Sequence, residues 1–111
     1  MRTLNEPARV GLVARELQKV GVSVAAIQEV HWPRTGQREF RAVDPIANTS
    51  FKYHIYYSGG DRAERGVGFI VIGEQMKRVI RWKPISDRVC LLRMRGKFLN
   101  YSLITIYAPM S

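Results

Sequence analysis

Glu29 follows a short, nearly continuous apolar run, Val22, Val24, Ala25, Ala26 and Ile27, and a single glutamine. A carboxylate at the end of a buried strand faces the crevice where open α/β sheets place ligands. It can hold a hard cation such as magnesium, which takes oxygen ligands and keeps several waters; a solvated strand-end glutamate is the competing reading. Tyr107 closes another apolar strand, next to Ala108–Pro109. Its hydroxyl can reach a phosphate, or its ring can serve the core with the tip in water. The two histidines, His31 and His54, have no metal-ligand spacing. Cys90 is the single cysteine, so neither an internal disulfide nor a cysteine-based zinc site can form. It alternates with Leu92 and Met94, which predicts an inert, buried thiol. No Gly-x-Ser-x-Gly elbow is present. Gly59–Gly60 and Gly66-x-Gly68 lack the Gly-Lys-Ser/Thr ending of a phosphate loop and read as turn and bulge glycines.

Charge adds a further signal. Eighteen Lys and Arg against nine Asp and Glu leave a net charge of +9. The excess is concentrated in residues 76–97, where Lys77, Arg78, Arg81, Lys83, Arg88, Arg93, Arg95 and Lys97 face Asp87 alone. A basic stripe fits a polyanion, nucleic acid first. A solvated strand surface on a generally basic protein fits equally well.

The elements that must position these groups follow from periodicity. A helix is predicted over 7–20: Pro7 suits the first helical position, Asn5 or Glu6 can cap, Val10, Val13, Leu17 and Val20 form a stripe, and Gly21 stops it. The run over 22–30 suits a strand buried on both faces. Residues 31–50, with Pro33, Gly36, Pro45 and Asn48, read as loop. Strands follow over 51–57, with Phe51, Tyr53, Ile55 and Tyr57 on one face, and over 66–72, a central strand closed by Gly73. Others are expected over 79–83, with Ile80 and Trp82 together on one face, over 89–95, and over 98–107. One helix and mostly antiparallel strands make an α/β (α+β) fold, a helix packed on a mostly antiparallel sheet. A composition 46% apolar and 24% charged is globular. Neither a membrane-spanning run nor a signal-peptide pattern is found, so a nuclear or cytoplasmic location, with no membrane partner, is expected.

Taken in order, Val24–Ala25–Ala26–Ile27–Gln28–Glu29, Gly66–Val67–Gly68–Phe69–Ile70–Val71, Ser86–Asp87–Arg88 and Ile106–Tyr107–Ala108–Pro109 resemble the endonuclease/exonuclease/phosphatase family. Within it, Trp32–Pro33–Arg34–Thr35–Gly36 and Tyr57–Ser58–Gly59–Gly60–Asp61 are similar to the apurinic-type endonuclease domain of non-LTR retrotransposons of the RTE and BovB kind. The resemblance implies a DNase I-like four-layer α/β sandwich and magnesium-dependent hydrolysis of a DNA phosphodiester. It makes Glu29 the metal-binding glutamate and Tyr107 the phosphate-contacting tyrosine.

The departures are equally specific. The family's first-strand asparagine, its Asp-x-Asn pair, its Gly-Asp-Phe-Asn motif and its Ser-Asp-His ending have no counterpart here. The resemblance therefore implies the N-terminal half of the domain over residues 1–111, inactive alone. Mg2+ is expected for the full domain and bound weakly or not at all by this part. Non-specific DNA backbone binding and self-association through an uncovered inner sheet face are the expected interactions. Two other readings stay open: a non-catalytic basic nucleic-acid-binding module, and a functionless relic.

Overall fold

The computed structural model describes residues 7–28, 32, 34–60 and 66–107. Glu29, His31, the capping Asn5 and Glu6, and Ala108–Pro109 lie outside them.

The described residues form helix α1 (Pro7–Lys19) and strands β1 (Val24–Gln28), β2 (Thr35–Asp44), β3 (Thr49–Gly59), β4 (Gly66–Ile72), β5 (Val79–Ser86), β6 (Val89–Met94) and β7 (Tyr101–Ile106). A 3-10 turn over Gly73–Arg78 joins β4 to β5. The strands make two antiparallel sheets, ordered β1-β4-β3-β2 and β5-β6-β7.

Three layers result. Every residue of β4 is buried, because its two faces meet different partners. Ile70 and Ile72 join Tyr53, Ile55 and Tyr57 beneath Val10 and Ala14 of α1. Val67, Phe69 and Val71 turn the other way, onto Cys90, Leu92 and Met94 of β6. The period-two side-chain alternation of a strand thus feeds two cores from one segment. Gly21, at φ 78°, ends α1 in the left-handed conformation that glycine adopts without steric cost.

The mixed α/β class is as expected, but several elements are not. A second sheet covers the face of the first that was expected to lie open. The open surface is instead the outer face of β5-β6-β7, where Ile85, Ile104 and Ile106 are 54%, 58% and 60% exposed. Residues 35–44 are no loop: β2 pairs with β3 along ten positions, and the hairpin closes where Asp44 Oδ1 accepts from the N–H groups of Ile46 and Ala47 and Asn48 takes φ 55°. β1 is shorter than expected and only half-buried, because it is the edge of its sheet and runs antiparallel to β4. A register shift between Val79 and Arg81 takes Ile80 out of step with Trp82, so Ile80 is exposed and Trp82 packs inward. β7 begins only at Tyr101; Phe98 and Leu99 stand in solvent before it. Val20 likewise lies beyond the helix and is exposed.

Candidate nucleic-acid interface

One register row fixes the site. Gln28 of β1 pairs with Val67 of β4, Val67 with Ser58 of β3, and Ser58 with Thr35 of β2. Gly59 and Arg34 therefore leave the first sheet at one rim. The second sheet ends at the same rim, because Ser58 Oγ donates to the carbonyl of Ser86 and Gln28 Nε2 donates to that of Ile106 at 3.4 Å. Ser58 is fully buried, so its hydroxyl needs this acceptor.

The β5–β6 turn carries Asp87 and Arg88 on this rim. Ser86 Oγ accepts from the Arg88 N–H at 3.1 Å, and the Arg88 carbonyl accepts from the Tyr107 N–H at 2.8 Å. Tyr107 is half-buried, its ring against the core between the sheets. The ring thus serves the core between the sheets, as one of the two readings of that residue has it. The position of Glu29 immediately follows Gln28, as Tyr107 immediately follows Ile106.

The opposite flank of the rim is held by backbone. Arg34 N donates to Gly60 O and Gly59 N donates to Arg34 O, both at 2.6 Å. A Cβ at Gly59 would come within 2.6 Å of Trp32 O and 2.7 Å of Arg34 O, so this approach requires glycine. Arg34 itself takes φ 66°, unusual for a residue with a Cβ. Gly60 abuts the Asp87 carboxylate: a Cβ there would be 3.3 Å from Oδ2.

The eight basic residues of 76–97 divide into three groups, with Lys97 apart from them. Of these eight, Arg88 alone shares the rim with Tyr107. Arg81 and Arg93 face each other across β5 and β6, and with Lys83 they line the outer face of the second sheet. Arg93 Nη1 donates to Ser102 Oγ at 2.9 Å. Lys77, Arg78 and Arg95 gather at the far end, where Arg95 N donates to Arg78 O at 2.7 Å and Lys77 pairs with Glu74 at 3.1 Å. Lys97 lies beyond β6, its ammonium 5.4 Å from the Phe98 ring centroid. Ser102, opposite Arg93, is five residues from Tyr107, or about 17 Å along a strand. The stripe is continuous in sequence but wraps around the second sheet in space.

Among the described residues, Asp87 is the one carboxylate at this rim, and no group of three His, Cys, Asp or Glu stands close enough to hold a metal ion. The described side chains by themselves do not fit magnesium, whose sites are built from several oxygens. Two other titratable side chains, Cys90 and His54, lie on strand faces turned between the two sheets. Burial pushes the Cys90 thiol up to about 11, far from thiolate formation at neutral pH. His54 lies on the face of β3 toward the second sheet, stacked on Tyr56 with ring centroids 4.5 Å apart, and Nε2 donates to Gln37 Oε1 at 2.8 Å. Burial holds its pKa below the ordinary value, with Glu39 opposing.

Residue types alone did not mark Arg34, Ser58 or Asp87 as parts of one rim. Arg34 lies inside the phrase Trp32–Pro33–Arg34–Thr35–Gly36, but its place at the rim is marked by a backbone angle. Ser58 and Asp87 sit inside the quoted family-like phrases, which was the available signal.

Along 98% of its length, the chain is 29% identical over 110 residues to craniofacial development protein 2 of Bos taurus, and equally to craniofacial development protein 2 of Tragulus javanicus. It spans 17% of the length of these relatives. No family model matches it, and no solved structure matches it. Among the described residues no helix is long and apolar enough to cross a membrane.

Proposed function

We propose that these 111 residues form part of a DNA endonuclease domain of the endonuclease/exonuclease/phosphatase type, of retroelement origin, and that by themselves they bind duplex backbone without cleaving it. The observation that supports this reading best is the bond from Gln28 to Ile106. It brings together two strand ends whose next residues, Glu29 and Tyr107, are the two that the family resemblance makes functional. Nothing in the packing of one sheet demands that these ends meet; it is the sandwich of two sheets that does so.

In this reading Tyr107 and Arg88 contact phosphate at the rim. Lys77, Arg78, Arg81, Lys83, Arg93, Arg95 and Lys97 supply a wider positive field that draws the polyanion in and releases its counterions. Magnesium chemistry belongs to the complete domain, where further carboxylates join Glu29; it would polarise the scissile phosphate and offset developing charge. The nucleus or cytoplasm, where DNA or its precursors are met, is the matching location.

The test is fluorescence anisotropy of a labelled duplex over a range of salt, with a parallel nicking assay on supercoiled DNA in Mg2+. Binding should fall steeply and log-linearly with salt, without dependence on sequence, and no nicking should exceed background. Absence of binding would remove nucleic acid as the partner. Nicking abolished by Glu29→Ala would make these residues a self-sufficient nuclease. A non-catalytic binding module shares the binding result; it is separated from the endonuclease reading by whether Tyr107→Phe alters nicking in a longer chain that cleaves.

A further inference from the structure

We infer that Arg34 and Arg88, on either side of Gly60, form a two-armed phosphate notch in which Arg34 is set by its backbone. The inference rests on the DNA reading above and adds a ligand-contacting residue to it.

Three observations carry it. First, Arg34 keeps a left-handed φ of 66°, a conformation that residues other than glycine, asparagine and aspartate rarely adopt. Such angles persist where the surroundings over-determine them, and they cluster at ligand clamps. Second, the surroundings here do over-determine it. The reciprocal bonds of Arg34 with Gly59 and Gly60, both 2.6 Å, pin its peptide groups to the end of β3. Third, the side chain so placed is exposed, and among the described residues no carboxylate pairs with Arg34 or Arg88. Arg38, four residues on, shows the contrast: its guanidinium is 4.3 Å from the Trp32 ring centroid and packs on the protein.

The notch is a chain of short links. Arg34 is bonded to Gly60, Gly60 abuts Asp87, and Asp87 precedes Arg88, whose own N–H is held by Ser86. Planar guanidinium groups suit the paired oxygens of a phosphodiester. Asp87 lies between the arms and opposes an anion. Its presence limits affinity and gives the experiment a second direction.

The variant that separates ligand binding from folding is Arg34→Gly. Glycine accepts φ 66° readily, so the melting temperature should hold or rise, while duplex affinity in low salt should drop about three- to tenfold and the salt slope by about one phosphate contact. Arg34→Lys should recover part of the loss, and Asp87→Asn should tighten binding. Unchanged affinity in Arg34→Gly, with the unaltered chain binding normally, overturns the notch and leaves the DNA reading standing. No duplex binding by the unaltered chain overturns both.

Discussion

Gln28 and Ile106 stand 78 positions apart in sequence, yet the amide of one donates to the carbonyl of the other across the two sheets. Gln28 is the last residue of β1 and Ile106 the last of β7, so both strands end on the same rim. The contact is long for a hydrogen bond, and the rim does not depend on it alone: the buried Ser58 hydroxyl makes a second tie, to Ser86.

That second tie should be measurable. Ser58→Ala removes the donor from a fully buried site and leaves the Ser86 carbonyl without it. The expected cost is about 1–2 kcal/mol in denaturant unfolding, with the midpoint lowered and the slope unchanged. No loss would mean that the sheets are clasped by their apolar contacts alone.

The two faces of the second sheet should respond oppositely to truncation. Leu92 is fully buried between the sheets, and Leu92→Ala should cost about 2–5 kcal/mol. Ile104 is on the outer face, and Ile104→Ala should stay within about 0.5 kcal/mol in the isolated chain. Comparable losses at both positions would show that the outer face is packed against something in solution.

Cys90 should not react with a thiol reagent at neutral pH until the chain unfolds. Its side chain is buried and its pKa is pushed up to about 11 by burial. Labelling in parallel with unfolding in urea is the measurement; labelling of the native chain at the rate of a free thiol would contradict the position of β6.

His54 gives the stability a pH dependence of known sign. Burial disfavours its imidazolium in the folded state, so the folded pKa lies below the ordinary 6.5. The unfolded chain then binds the proton more readily. His54's contribution is fully present above about 6.5 and is lost as pH falls through the lowered folded value. Melting temperatures of the unaltered chain and His54→Asn should therefore converge as pH drops from 7.5 to 5. A constant difference across that range would contradict this.

What could be read from sequence depended on whether a strand's two faces differ in residue type. β4 was legible because both its faces are apolar and it carries one uninterrupted run. β2 was not, because Gly36 and Arg38 occupy places on its inner face. Arg38 serves there by laying its guanidinium over Trp32, so a charged residue does an apolar residue's work. In β5 the shift between Val79 and Arg81 broke the alternation from which Ile80 was placed. At the rim, Arg88 and Tyr107 lie in short phrases that point to them. Arg34 lies in such a phrase too, but its place at the rim is set by a dihedral angle and by bonds to residues more than twenty positions away, neither of which leaves a trace in residue type.

The division of the basic stripe predicts unequal effects. Arg88→Glu should weaken duplex binding more than Arg95→Glu, since Arg88 shares the rim with Tyr107 and Arg95 lies at the far end. The double variant Arg93→Glu with Arg95→Glu should still lower affinity and flatten its salt dependence, through loss of the wider field. If the double variant binds as the unaltered chain does, the stripe has no part in binding.

The most direct test is the map of amide chemical-shift changes on titrating the isotope-labelled chain with a short duplex. Changes should centre on Arg34, Gly59, Gly60, Asp87, Arg88 and Tyr107, with weaker ones along β5 and β6. Changes centred instead on Lys77, Arg78 and Arg95, or none at any ratio of DNA to protein, would contradict the assignment of this rim as the surface that meets DNA.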